Sequence, residues 1–206
     1  MSQTESKASS YGAAAQAVQG VSHEGALQAN GRRFALVAAR FNDTIVGRLL
    51  DGARQALREA GAADGDVELF RCPGAMELAG LARRVAEGGR FDGIVCLGAV
   101  IRGGTPHFDL VAGEAARAIG ALAAEGRLPV AFGVLACDTM EQALERSGAD
   151  KKDNRGYDAA MVVVEMADLY ARLEVGVPLG TRPDIQIPPI PPVAPIPLPP
   201  QMKAQK

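Results

Sequence analysis

The chain has 206 residues, 48% of them hydrophobic, and a formal net charge of -2 at pH 7. That is enough apolar material for one substantial domain with extensions, and the interspersed charges exclude a basic nucleic-acid groove or a polybasic membrane anchor. No apolar run approaches membrane-span length, and the N-terminus lacks a hydrophobic signal core. Three cysteines, Cys72, Cys96 and Cys137, lie far apart without ligand-like spacing. Cys96 and Cys137 sit in apolar segments and read as core thiols, as expected of a cytoplasmic chain kept in a reducing compartment.

Residues 1–31 are rich in Ala, Gly, Ser and Gln and read as a flexible leader that includes His23. The domain is expected over 32–175. Its first strand spans 34–38, Arg40-Phe41-Asn42-Asp43 forms the exit loop, and a helix over 44–60 carries the apolar stripe Ile45, Leu49, Ala53, Ala56, Leu57 before Gly61 ends it. A second strand covers 67–70, Pro73-Gly74 marks a turn, and a helix follows over 75–86. Glu77 falls in that helix's first turn, a position that suits an acid on electrostatic grounds alone; its functional reading is an acceptor for substrate hydroxyls.

A third strand begins with the apolar run Ile94 to Leu97, with chain breaks expected at Gly98 and at Gly103-Gly104. A helix over 109–125, a fourth strand over 129–135 and a short helix over 140–146 capped by Thr139 complete the pattern. Residues 147–153 form a polar loop. The last helix, 157–173, is apolar over 159–166, more than a solvent-facing helix needs, which suggests packing against another subunit. Repeated strand–helix units build a four-stranded parallel sheet with helices on both faces, a flavodoxin-like α/β sandwich. From 176 onward the chain changes character. Nine of its thirteen prolines lie between 183 and 200, alternating with Ile, Val and Leu, so 176–206 reads as a disordered, polyproline-like tail acting as spacer or docking strip.

Strand, glycine-rich loop and helix meet in Ile94-Val-Cys-Leu-Gly-Ala-Val-Ile-Arg-Gly-Gly-Thr-Pro-His107-Phe-Asp109. In an open parallel sheet the loop leaving a strand's carboxyl end is where ligands bind. Amides near the helix start can hold an anion, and His107 can move a proton near neutral pH. These properties favour a ligand loop over a plain turn. Arg146 and Arg155, near the last two helices, supply positive charge for a phosphate if both reach the same edge. No Gly-Lys-Ser/Thr follows the loop, and the dinucleotide fingerprint, the Gly-x-Ser-x-Gly elbow and any metal-ligand cluster are missing from the sequence. The residues therefore point to general acid–base work on a small phosphorylated substrate, with Phe41 as a surface for a flat ring.

The stretches Arg40-Phe41-Asn42, Pro73-Gly74-Ala75-Met76-Glu77, Leu97 to Asp109, Phe132-Gly133-Val134-Leu135, Glu141 to Gly148 and Asn154-Arg155-Gly156 together resemble the lumazine synthase family of riboflavin biosynthesis. The resemblance spans roughly residues 33–173 and leaves out the leader and the tail. It implies condensation of 5-amino-6-(D-ribitylamino)uracil with 3,4-dihydroxy-2-butanone 4-phosphate to 6,7-dimethyl-8-ribityllumazine, phosphate and water, with no metal or organic cofactor. It also implies that Phe41 stacks on the pyrimidine, that Ala75, Met76 and Glu77 line the ribityl site, and that Val100 and Ile101 meet the ring edge with their backbones. Gly104, Thr105 and Arg146 would hold the phosphate, with His107 transferring protons, Arg155 assisting and Phe132 coming from a neighbouring subunit.

Three positions depart from the family's usual pattern: Met76 for an aromatic, Pro106 for a threonine, and Arg155 for a lysine. The resemblance further implies a homo-oligomer built on pentamers. The segment Gly148 to Gly156 is one residue longer than the short form of shell-forming members, so a pentamer, alone or paired face to face, is expected in preference to an icosahedral shell. A relative that keeps the fold as a flavin binder or shell protein, or that acts on another phosphorylated ketone, would share these motifs. Formation of the lumazine from the two named substrates separates the readings.

Overall fold

The computed structural model describes residues 23–174, so the residues before and after, the proline-rich segment among them, lie outside the described part. Strands β1 (Phe34–Ala39), β2 (Val67–Cys72), β3 (Gly93–Ile101) and β4 (Val130–Cys137) form one all-parallel sheet in the order β2-β1-β3-β4. Helices α1 (Asp43–Glu59), α2 (Leu78–Glu87), α3 (His107–Ala124), α4 (Met140–Glu145) and α5 (Arg155–Glu174) follow or link them. The expected flavodoxin-like architecture is the one observed.

Period-two alternation within the central strands divides the core into two layers. Phe34, Leu36 and Ala38 of β1 join Val95, Leu97 and Ala99 of β3 under α1 and α5. Ala35, Val37 and Ala39 join Ile94 and Cys96 under α2 and α3. β1 and most of β3 are buried on both faces, which is why they read as continuous apolar runs. The three cysteines are free and buried, and burial pushes the Cys96 thiol up to about 12.

Several boundaries differ from the sequence reading, each for a physical reason. Gly98 does not break the third strand: β3 runs through it to Ile101. A Cβ there would lie 3.1 Å from Leu78 Cδ1 and 3.4 Å from Val134 Cγ1, so the glycine admits close packing of α2 and β4 rather than a turn. α3 begins at His107, two residues before its expected start, because Pro106 at the N-cap already holds φ near -62°. The second helix opens as a 3-10 turn, Ala75–Glu77, before α2.

The apolar stretch of α5 is largely used inside the chain. Ala159, Ala160, Val163, Val164 and Ala167 are buried, and Val162 is the large apolar residue left outside, 52% exposed. α5 lies across both α1 and β4, so it buries a broader face than one neighbour would cover. Its composition is therefore no argument for a subunit contact. The packed body also starts before Arg32. Ala29 is fully buried, and Ala26 N and Arg32 Nη2 both donate to the Asp168 carboxylate, at 2.7 and 2.8 Å. Residues 26–31 thus pack against the domain.

Candidate active site

The chain order reverses between β1 and β3, and ligand sites in open parallel sheets lie outside the carboxyl ends at such a reversal. A cleft of about 360 Å³ opens there. Phe41 lines it from the β1 exit, Gly74 to Glu77 from the β2 exit, and Ala99 to Ile101 from the end of β3. Gly103, Thr105, His107, Phe108 and Val111 close it from the following loop and the first turns of α3.

Backbone geometry sets each wall. Arg40 N donates to Cys72 O and Phe41 N to Pro73 O, at 2.9 and 3.0 Å, stitching the β1 exit to the β2 exit. Asn42 adopts a left-handed conformation (φ 57°, ψ 44°), one that asparagine tolerates better than most residues. Its Nδ2 donates to Ala99 O at 2.8 Å, tying the loop to β3. Phe41 is thereby held at the cleft mouth with 71% of its surface exposed, a ring ready to be covered by a flat apolar partner.

The pairing register leaves a usable edge. β1 pairs with β3 only as far as Ala38↔Leu97, whereas β3 stays paired with β4 to Ile101↔Cys137. Beyond Leu97, the β1-facing edge of β3 overhangs into the cleft at Val100 and Ile101. Glu77 has a double character: Oε2 accepts from Gly74 N at 2.8 Å and so fixes the turn, and the residue lines the cleft as well. Glu77 thus stands both at the start of the helix and on the cleft wall.

Behind the glycine loop lies a network the sequence reading missed. Arg102 Nη1 and Nη2 donate to the two Asp109 oxygens at 3.0 and 2.9 Å, Nε donates to Asp138 at 2.7 Å, and the guanidinium stacks 4.0 Å from the Phe108 ring centroid. These bonds hold the Asp109 carboxyl below its ordinary range and push the Arg102 guanidinium above its own. Phe108 and Val111 were also missed. They share the His107 side of α3, a relation visible only once the helix is known to start at His107.

Of the expected site residues, Phe41, Ala75, Met76, Glu77, Val100, Ile101, Thr105 and His107 come together on this one surface, and Gly104 lies between two of its lining residues. Phe132, Arg146 and Arg155 are not among the residues lining the cleft of their own chain. Phe132 lies on the edge strand β4, opposite Cys96, 44% exposed. Arg146 and Arg155 are neighbours through the bond from Arg155 N to Arg146 O, 2.9 Å, beside the Ser147↔Asn154 bridge. Their side chains rest on local partners: Arg146 Nη1 on Gln142 O at 3.3 Å, and Arg155 Nη1 on Asp158 at 2.6 Å. No cluster of metal-ligating side chains occurs among the described residues, and none of their helices is long and apolar enough to cross a membrane.

A small parallel α/β domain with a glycine-loop cleft at its switch point defines the class: a flavodoxin-like scaffold with a ligand cleft at the carboxyl ends of its strands. The family profile for 6,7-dimethyl-8-ribityllumazine synthase matches residues 31–171. The chain is 52% identical over 147 residues to the 6,7-dimethyl-8-ribityllumazine synthase of Anaeromyxobacter sp. (strain Fw109-5), covering 71% of this chain and 90% of that protein. To the enzyme of the same name from Chlorobium phaeobacteroides it is 50% identical over 147 residues, 71% of this chain and 94% of the relative. To that of Syntrophus aciditrophicus it is 48% identical over 150 residues, 73% and 97% respectively. The chain belongs to the 6,7-dimethyl-8-ribityllumazine synthase family.

Proposed function

We propose that the protein condenses 5-amino-6-(D-ribitylamino)uracil with 3,4-dihydroxy-2-butanone 4-phosphate, releasing phosphate and water and leaving 6,7-dimethyl-8-ribityllumazine. The observation that carries this is the convergence of an exposed ring, an overhanging strand edge and a helix N-terminus in one cleft. Phe41 offers its face to the pyrimidine, and the Val100 and Ile101 backbone meets the ring's polar edge. One Glu77 oxygen is committed to Gly74, which leaves the other for ribityl hydroxyls, beside Ala75 and Met76.

The phosphate rests on the amides of Gly104 and Thr105 at the start of α3, where backbone donors and helix dipole both favour an anion. His107, at the first position of that helix, moves protons between the condensing amine, the carbonyl oxygen and the departing phosphate. Phe132, Arg146 and Arg155 reach the cleft from a second copy, since all three are exposed and none lines the cleft of its own chain. A closed ring of copies, a pentamer by family resemblance, satisfies that requirement at every site with one repeated contact.

The test is direct. Purified protein supplied with both substrates, without added metal or organic cofactor, is expected to generate the lumazine chromophore and inorganic phosphate in equal amounts. Binding of the lumazine with no turnover would assign the cleft to a ligand-binding relative instead.

A further inference from the structure

The guanidinium of Arg102 faces away from the role its position suggests. It lies between two cleft-lining residues, Ile101 and Gly103, in a loop proposed to seat a phosphate, yet it does not line the cleft. Its forked nitrogens are taken by Asp109, its Nε by Asp138, and its face by Phe108. An arginine so engaged is not a phosphate ligand. What it does engage is Asp109, the acid in the first turn of α3, two residues from His107.

That acid is a problem for the site. A carboxylate in a helix's first turn is stabilised by the dipole, but it competes for the same positive end that would receive a phosphate. Left free, Asp109 could swing toward the loop amides or repel the incoming dianion. The bidentate pair with Arg102 opposes its charge and fixes its direction, and Asp138 and Phe108 fix the arginine in turn. Lysine could supply the charge but not three directed bonds and a stacked plane.

We propose that Arg102 is a positioning residue that ties Asp109 down and so keeps the start of α3 open to the substrate's phosphate. This rests on the reading of the cleft as a lumazine synthase site.

The experiment measures apparent KM for each substrate, and the inhibition constant of inorganic phosphate, in the full chain. Arg102→Gln is expected to raise the KM of the butanone phosphate and the phosphate inhibition constant roughly tenfold, from one uncompensated charge near a dianion. The KM of the pyrimidine should stay within about twofold, since its ring wall is made by other elements. Adding Asp109→Asn to Arg102→Gln removes the freed charge at the start of α3, leaving only the more exposed Asp138 without its partner, and should recover most of the phosphate affinity. That double variant keeps the test alive if Arg102→Gln alone folds poorly, because it loses the arginine without stranding the acid. Equal effects on both substrates, or a double variant no better in phosphate affinity than Arg102→Gln, would overturn the inference. A parent protein that neither forms lumazine nor is inhibited by phosphate would instead overturn the function on which it rests.

Discussion

Asn154 is a buried polar residue, 3% exposed, at the junction that places both outlying arginines. Its Nδ2 donates to Arg48 O at 3.0 Å and Gly148 O at 2.9 Å. Its Oδ1 accepts from Gly156 N at 2.9 Å and Tyr157 N at 3.2 Å, capping α5. One side chain thus joins α1, the 148–153 turn and the last helix. Asn154→Ala strips the cap and leaves two carbonyls short of a donor. With about 1 kcal/mol for the cap and about 1 kcal/mol or more for each abandoned carbonyl, the loss should be roughly 3 to 4 kcal/mol.

Urea unfolding at fixed protomer concentration reads that loss, the fixed concentration being needed because association contributes to apparent stability. Gly52→Ala offers an independent check, since a Cβ there would stand 2.3 Å from Asn154 Oδ1 and displace the same side chain from the α1 side. The two substitutions should be clearly less than additive. An Asn154→Ala variant that loses less than about 1 kcal/mol, or strict additivity with Gly52→Ala, would refute the view of Asn154 as the hub of this junction.

Two further predictions concern the cleft and one the loop. His107→Ala should slow lumazine formation roughly ten- to a thousandfold at saturating substrate, measured by absorbance; an unchanged rate removes His107 from proton transfer. Asn42→Gly keeps the left-handed backbone and loses the bond to Ala99 O, whereas Asn42→Ala loses both, so the KM of the pyrimidine should rise more for alanine than for glycine. Glu59 accepts from Gln55, Tyr157 and Lys151 at 2.9, 2.7 and 3.1 Å, which lowers its pKa from 4.5 to about 2. A depressed carboxylate stabilises the fold above its unfolded value and loses that contribution as pH falls toward its folded one. The Tyr157 ring environment, followed by NMR, should therefore change between pH 4.5 and about 2 in the parent and not in Glu59→Gln.

Much of the architecture was legible because β1, β3 and β4 are short apolar runs and most helices end near glycine. What failed was reading a residue's purpose from its type alone. Gly98 looked like a break, but it admits Leu78 and Val134. The apolar run of α5 looked like a subunit face, yet the chain's own α1, β3 and β4 consume it. Both depend on what lies opposite in space, which no local window contains. The cleft wall followed from loops at strand ends, a rule of topology. The pairing of Arg102 with Asp109 and Asp138 carried no such signal, because an arginine and two acids spaced across a loop and a separate strand match neither helical nor strand spacing.

The separation of the site residues into two groups yields a numerical test of assembly. His107 lies in the cleft, while Arg146, at the C-cap of α4, is exposed and does not line it. If a site takes His107 from one copy and Arg146 from the next, His107→Ala and Arg146→Ala variants can complement each other. Arg146→Ala alone should raise the KM of the butanone phosphate far more than that of the pyrimidine, because the partner proposed for it is the phosphate. In a ring with one repeated contact, each site draws one residue from each of two neighbours. Mixing the variants equally before assembly leaves a site intact when the cleft copy carries Arg146→Ala and its neighbour carries His107→Ala. Random assortment gives each condition a probability of about one half, so about one quarter of the sites should regain parental turnover. A single-chain site predicts no recovery whatever the mixing ratio, and recovery should vanish when preformed assemblies are mixed without dissociation. Native mass measurement on the same samples reports whether the ring holds five copies. Activity that stays at the average of the two separate variants after co-assembly would place His107 and Arg146 in the same chain's chemistry, or Arg146 outside the site altogether.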